Sequence, residues 1–453
     1  MNLNKKISRR EFLKASGLTV AGVTLAACAP KATEMVTEAT KVAPTTAPAV
    51  GKPIELIHWS WLVASDGEIW AQMIDEFNAA NKDIQIRMEV VPDDQYVTKV
   101  VAAAATGQAP DFGWGTAGLR GMMINDNVIV AMDDYLSKVG LDMNDFVESM
   151  VKASRYPNLG NKMYMVPMDA MSLQMEVNLD HVNEAGLDIN NYPKTNDELL
   201  DWADKLTIRD GDKVVRSGIM MTGTGVQPTV TWGIVAAQMG FKRASDDLKT
   251  AAINPDAGIN AMYWVLDLFD KHKVSTRDIA DRYAAFGNGE GSFFWTGPWT
   301  INGYVTQGLN FTTVPFPNIG GDHRTYFELG GLEMYVQKDP ARYEATMTAI
   351  KWLSDNSFLW TTKGRGAACR KSILAREDYK TAGPDWKVRG AFIDGMSFAT
   401  EGEIPVLEAP DFTIYAGGNF LAKTLETVWA MEKTPEQAME EIAKRWQEDL
   451  DKG

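Results

Sequence analysis

Residues able to do chemistry are scattered through this 453-residue chain. The four histidines, His58, His181, His272 and His323, show no HExxH spacing, and the two cysteines, Cys28 and Cys369, form no CxxC, so the usual zinc ligand sets do not arise. There is no G-x-S-x-G elbow and no phosphate-loop lysine motif. Gly287-Asn288-Gly289-Glu290-Gly291 lacks the spacing and the preceding strand of a dinucleotide loop, so it reads as a turn. Asp93-Asp94 and Asp246-Asp247 have the residue types of a glycosidase pair, but in so acidic a chain adjacent carboxylates are normally solvated. Tryptophan, in contrast, is abundant, at 14 residues. An indole face matches the apolar face of a pyranose ring while polar groups take its hydroxyls, so this aromatic usage suits sugar binding.

Trp70, Trp202, Trp264, Trp352, Trp429 and Trp446 fall on expected helix faces and read as core, whereas Trp61, Trp114, Trp232 and Trp299 fall at strand ends or in loops. The elements that must position them alternate. Ile54 to Trp61 is an apolar run suited to a buried strand. Ser65 and Glu68 have capping-box spacing ahead of a helix whose inner face is Trp70, Met73, Ile74 and Phe77, ending near Asn81. Ile84 to Val91 alternates as a second strand, Asp94 to Thr106 reads as a helix stopped by Gly107, and Pro110 to Trp114 reads as a third strand. This order implies a parallel, doubly wound lobe whose ligands meet the carboxyl ends of the strands. Further on, Thr195 with Glu198 caps a helix through Leu206, Asn254-Pro255 starts one with Met262, Val265, Leu266 and Phe269 inside, and Thr434-Pro435-Glu436-Gln437 opens the last. No repeat period is visible, which argues against solenoids and propellers.

At the amino terminus, Lys5, Lys6, Arg9 and Arg10 precede a short apolar stretch from Ala15 to Ala27, giving an export signal over residues 1–27. Ser8-Arg9-Arg10-Glu11-Phe12-Leu13-Lys14 resembles the twin-arginine signal, and Leu25-Ala26-Ala27-Cys28 resembles a lipobox, with Cys28 as the lipidated residue. Residues 28–52 read as a lipidated cysteine and a disordered tether, built of Ala, Thr, Val, Pro, Lys and Glu without an aromatic. The remaining 400 or so residues suit two lobes better than one core. The net charge of −15 becomes −19 once the five basic residues and one acid of the signal are gone, which disfavours nucleic acid and anionic lipid as partners. With Cys28 lipidated, Cys369 has no partner for an intrachain disulfide.

Spaced segments after the tether carry a family resemblance. They include Ala104-Ala105-Thr106-Gly107-Gln108-Ala109-Pro110-Asp111, Asp133-Asp134-Tyr135-Leu136, Gly160-Asn161-Lys162-Met163-Tyr164-Met165-Val166-Pro167 and Tyr192-Pro193-Lys194-Thr195. Thr231-Trp232, Phe286-Gly287-Asn288-Gly289-Glu290, Gly297-Pro298-Trp299 and Gly330-Gly331 follow in order. Together they resemble the sugar-binding, maltose-binding-protein-like family of extracellular solute-binding proteins of bacterial ABC importers. The resemblance implies an α/β clamshell of two lobes, each a doubly wound sheet flanked by helices. Three hinge crossings are placed near Pro167, Gly330 and Cys369, where the family pattern usually has a proline. The lobes are then residues 53–167 with 331–368 and residues 168–330 with 369–453.

The resemblance further implies a sugar or oligosaccharide held between the lobes and delivered to permease subunits by a non-catalytic, monomeric protein without cofactor or metal, joined to the membrane through its lipid alone. It assigns solute contacts to Trp232, after Gln227-Pro228, and to Trp299 in the Gly-Pro-Trp turn. It adds Trp61 and Asp66 after the first strand, Trp114 at the end of the third, Asp169 and Glu333 beyond the crossings, and Gln227, Gly331 and Asn419. For Asp66, Asp169 and Glu333 a solvated or hinge-capping role serves equally well. The alternatives to a transport protein are a secreted carbohydrate-active enzyme and a receptor that presents its ligand to a membrane sensor.

Overall fold

The structure, a computed structural model, describes residues 52–115, 120–156, 159–364, 366–401 and 419–451. The expected signal, Cys28 and the tether up to Gly51 lie outside these residues. Strand β1 (Ile54–Ser60) leads into helix α1 (Ala64–Ala80), which buries Trp70, Met73, Ile74 and Phe77 as its 3.6-residue spacing requires. The Ser65 capping box does not form. The helix starts two residues earlier, at Ala64 after the extended Val63, so Ser65 lies inside the first turn and cannot cap it. Strand β2 (Ile84–Val90), helix α2 (Asp93–Thr106) and β3 (Phe112–Gly115) follow, and Gly107 ends α2 at φ +68°, a backbone that glycine adopts without strain. β1 pairs parallel with β2 and with β3, as strands joined by crossover helices must.

Strand β4 (Val166–Ser172) continues after the single residue Leu173 as β5 (Gln174–Asn178). Then come α3 (Asn196–Leu206), β6 (Ile208–Asp210), β7 (Lys213–Met220), α4 (Val226–Gln238), α5 (Pro255–Asp270), α6 (Arg282–Gly287), β8 (Gly291–Thr296) and β9 (Phe311–Val314). Both capping boxes, Thr195 with Glu198 and Thr434 with Gln437, are formed. α5 buries Met262, Val265 and Phe269 as expected, with Leu268 in the core and Leu266 only partly covered. The chain closes with β10 (Thr325–Met334), β11 (Ala367–Ala368), β12 (Ala399–Glu401), α7 (Phe420–Trp429) and α8 (Pro435–Leu450).

These strands make two principal sheets, one for each lobe. The first has the order β11-β4-β10-β3-β1-β2 with β12 beside β10, and the second the order β9-β5-β8-β7-β6. Neither is wholly parallel, because β10 runs against both β3 and β4, and β8 runs with β7 but against β5. Two strands pass side by side from one sheet toward the other. Leu173 N donates to Tyr326 O at 2.9 Å, and Thr325 Oγ1 donates to Leu173 O at 2.6 Å. Pro167 pairs with Gly331 inside the first sheet, so the expected crossings at Pro167 and Gly330 fall within β4 and β10, which run on to Ser172 and begin at Thr325. Cys369 is a buried free thiol in the first-lobe core, next to β11, and its carbonyl accepts from Val147 N. Each lobe has its own core. Leu56, Trp70, Phe77, Trp114, Leu332 and Ile350 belong to the first, and Val177, Leu199, Trp232, Val265, Leu425 and Trp446 to the second.

Candidate functional site

The carboxyl end of β8 reaches the passage between the sheets, since β8 runs against β5 and Thr296 faces Gln174, the residue after Leu173. Directly after β8, Gly297-Pro298-Trp299-Thr300 folds as a single 3₁₀ turn with Pro298 at its first position, where a missing N–H costs nothing. A Cβ at Gly297 would lie 2.0 Å from the Trp299 ring, so only glycine lets this indole fold back over the turn. Trp299 is half-buried, and its Nε1 donates to Tyr283 Oη at 3.1 Å. Together with Leu173, Val226, Val230, Trp295 and Thr296 it lines a concavity open to solvent. Two polar groups in that lining are buried without a hydrogen-bond partner among the described residues: Trp295 Nε1, in a side chain 6% exposed, and Thr296 Oγ1, in one 3% exposed. A buried donor left unmade costs about 1–3 kcal/mol.

A buried carboxyl on the strand beneath holds the turn. Thr300 Oγ1 lies 2.5 Å from Glu176 Oε1 and 3.1 Å from Gly297 O. Burial lifts the Glu176 carboxyl from its ordinary value to about 8, opposed by the Thr300 hydrogen bond, so it is protonated near neutral pH. One hydroxyl proton cannot serve two acceptors, and a protonated Glu176 resolves the conflict by donating to Oγ1 while Oγ1 donates to Gly297 O.

The other expected site residues divide. Gln227 borders the concavity, but its amide is engaged within the fold, donating to Met220 O at 2.9 Å and accepting from Thr222 N at 3.0 Å. Trp232, expected to stack on solute, is instead a core residue. It lies in the middle of α4, which is buried from Gln227 to Gln238, and its Nε1 donates to Gly258 O at 2.9 Å. Gln227-Pro228 is therefore the first turn of a buried helix, where proline is tolerated, and not a loop. Trp114 is also interior, edge-on to Trp70 at 4.9 Å and to Trp360 at 5.0 Å. Asp169 accepts from Trp360 Nε1 at 2.6 Å and is wholly buried. A Cβ at Gly330 would come 2.6 Å from Asp169 Oδ1 and 3.0 Å from Trp114 Cζ2, so these residues meet around a point that only glycine leaves open.

Across the sheet, Glu333 is paired with Arg120 at 2.7 Å, both fully buried. Burial pushes the Glu333 carboxyl up against the pull of Arg120. Gly331 packs on the neighbouring strand, since a Cβ there would meet Val166 O at 2.4 Å. Asn419 caps α7 by accepting from Ala422 N. Trp61 and Asp66, after β1, are half-buried, and Trp61 meets Tyr96 edge-on at 4.9 Å. His58 is a packed core histidine. Its Nε2 accepts from Trp70 Nε1, and burial lowers its pKa to about 3.

Sequence reasoning passed over Tyr283, Trp295 and Thr296. The available signal was position: Trp295-Thr296 ends a strand in an α/β sheet, where ligands gather.

Comparison with known proteins bears on this geometry. The sequence pattern of the family described as bacterial extracellular solute-binding protein matches residues 61–357. The maltotriose-binding protein of Pyrococcus abyssi is 22% identical over 309 residues, a match spanning 67% of this chain and 63% of that protein's length. An ABC substrate-binding protein of Listeria monocytogenes, solved in complex with cycloalternan, superposes with a TM-score of 0.75 at 19% identity, covering 88% of this chain and 99% of that one. UgpB of Mycobacterium tuberculosis, solved with glycerophosphocholine, superposes with a TM-score of 0.75 at 17% identity, covering 89% and 99%.

Proposed function

The chain belongs to the bacterial extracellular solute-binding protein family, and from that premise we propose that it captures a sugar or oligosaccharide between its lobes and delivers it to the permease of an ABC importer. The family is one of extracytoplasmic binding proteins. The observation that carries the sugar reading is the second-lobe concavity, where a half-buried indole face lies beside two buried polar groups that await a partner. Stacking with peripheral hydrogen bonds is how a polar ring with one apolar face is held. The concavity borders Leu173, so a solute seated there would lie next to the strands joining the lobes and could favour a closed arrangement by touching both.

The test is a thermal-shift screen of the purified chain against mono- and oligosaccharides. A solute at one hundred times its dissociation constant should stabilise the fold by about 2.7 kcal/mol. A screen in which no saccharide raises the melting temperature contradicts the reading.

The same proposal includes a membrane anchor at Cys28, as a monomer tethered by residues 28–52. None of the helices among the described residues is long and apolar enough to cross a membrane. Cys28→Ser should move the protein from the membrane fraction to the soluble one, and unchanged retention would refute the anchor.

A further inference from the structure

The polar groups around the second-lobe concavity are mostly donors. Trp295 Nε1 can only donate. Tyr283 Oη already accepts from Arg282 Nη2 at 2.8 Å and from Trp299 Nε1 at 3.1 Å. Both lone pairs of that oxygen are thus taken, and its own proton is left for a further acceptor. The carbonyl and amino groups of Gln227 are both used inside the fold, and Thr231 Oγ1 donates to Gln227 O. Among the lining groups, Thr296 Oγ1 can either donate or accept.

Arg282 adds a charge. It is half-buried, lies over the Tyr283 ring at 4.6 Å from the centroid, and forms no ion pair among the described residues. The nearest acid in sequence, Asp281, is occupied, since its Oδ1 accepts from Tyr283 N and Ala284 N at the start of α6. In a chain of net charge −15, this is a cation at a concavity with no carboxylate paired to it among the described residues. A sugar hydroxyl offers a proton as well as lone pairs, and a donor-rich wall offers that proton few acceptors, the hydroxyl oxygens of Thr231 and Thr296. A carboxylate offers acceptor sites alone, and charge-assisted bonds to it are roughly twice as strong as neutral ones.

We propose, resting on the sugar-binding reading above, that this pocket selects an acidic saccharide. Arg282 and Tyr283 Oη hold the carboxylate of a uronic acid residue, Trp299 covers the ring face, and Trp295 Nε1 donates to a ring or hydroxyl oxygen. The selectivity is for a planar monoanion that the guanidinium can meet side-on.

The experiment is calorimetric titration of the full chain with matched pairs: digalacturonate against galactobiose, and cellobiouronic acid against cellobiose, with glucose 6-phosphate as a third arm. The acidic member of at least one pair should bind about tenfold tighter than its neutral partner. Arg282→Gln should weaken the acid about tenfold more than it weakens the neutral sugar. Arg282→Lys, which keeps charge but loses the fork, should recover only part of that preference. An unchanged apo melting temperature in both variants shows that the loss is not one of folding. Equal or tighter binding of the neutral member, equal loss of both in Arg282→Gln, or tighter binding of the phosphate than of either uronate overturns the proposal and leaves the sugar reading standing. Binding of neither acidic member also overturns the proposal, and an empty thermal-shift screen overturns the sugar reading with it.

Discussion

Trp232 and Trp299 belong to the same lobe, each has a proline shortly before it, and the two occupy opposite environments. Trp232 is 0% exposed between α4 and α5, tilted against Phe241 at 5.6 Å, with its N–H on Gly258 O. Trp299 is half-buried at the rim of a concavity, with its N–H on the hydroxyl of Tyr283. The difference lies in what precedes the proline. Gln227-Pro228 opens a helix that carries no charged residue and is buried from Gln227 to Gln238. Gly297-Pro298 follows the end of a strand, and the missing Cβ lets the next indole turn back toward the carboxyl edge of the sheet. Trp299, carried by the turn after a strand, thus lies at the rim of a concavity, whereas Trp232, carried inside a buried helix, is core.

The strongest way to break this comparison is Trp232→Ala. Loss of a fully buried indole should cost about 3–5 kcal/mol of folding stability, read as a steep fall in the apo denaturation midpoint. A mild loss would mean that Trp232 is not the core residue described. Trp299→Ala should do the reverse. Affinity for the bound saccharide should fall by about 1.5–3 kcal/mol, roughly ten- to hundredfold, while the apo midpoint barely moves.

Glu176 sharpens the contrast through pH. Its carboxyl titrates near 8 in the folded chain and near its ordinary value when unfolded, so between those values the native state holds a proton that the unfolded chain has lost. The stability it contributes is complete at acid pH and declines as pH rises through about 8, with a slope of at most about 1.4 kcal/mol per pH unit. Glu176→Gln, whose amide still donates to Thr300, should remove that decline in denaturation curves taken from pH 5 to 9. An unchanged slope would show that the carboxyl under the turn is ionised. The smallest effect belongs to Thr296→Val. Its hydroxyl has no partner among the described residues, so the apo fold should be as stable or slightly more so, while affinity drops by about 0.5–1.5 kcal/mol. A clear loss of apo stability would place that hydroxyl in the fold and not in the site.

Much of the fold could be read from local patterns, because those patterns are local physics. The face of α1, the Gly107 stop and the Thr195 and Thr434 capping boxes each depend on residues within two turns of one another. What could not be read was pairing at a distance. The antiparallel course of β10 joins residues separated by more than 150 positions, and no spacing in the sequence encodes which neighbour a strand takes. The site was legible in the same measure. Trp299 announces itself by its turn. Asp169, Glu333 and Trp114 are carboxylates and an indole near strand ends, yet their partners, Trp360, Arg120 and Trp70, come from remote segments and close them into the interior. Tyr283 reaches the concavity from α6, ahead of β8, and only the packed fold brings its hydroxyl to Trp299.

The most direct test is a crystal structure of the chain with the saccharide that raises its melting temperature most. A pyranose ring should lie against the Trp299 indole at van der Waals distance, about 4 Å, with solute oxygens within hydrogen-bond reach of Trp295 Nε1 and Thr296 Oγ1. A solute bound elsewhere, with those two atoms still unpartnered and the Trp299 face bare, would contradict the account.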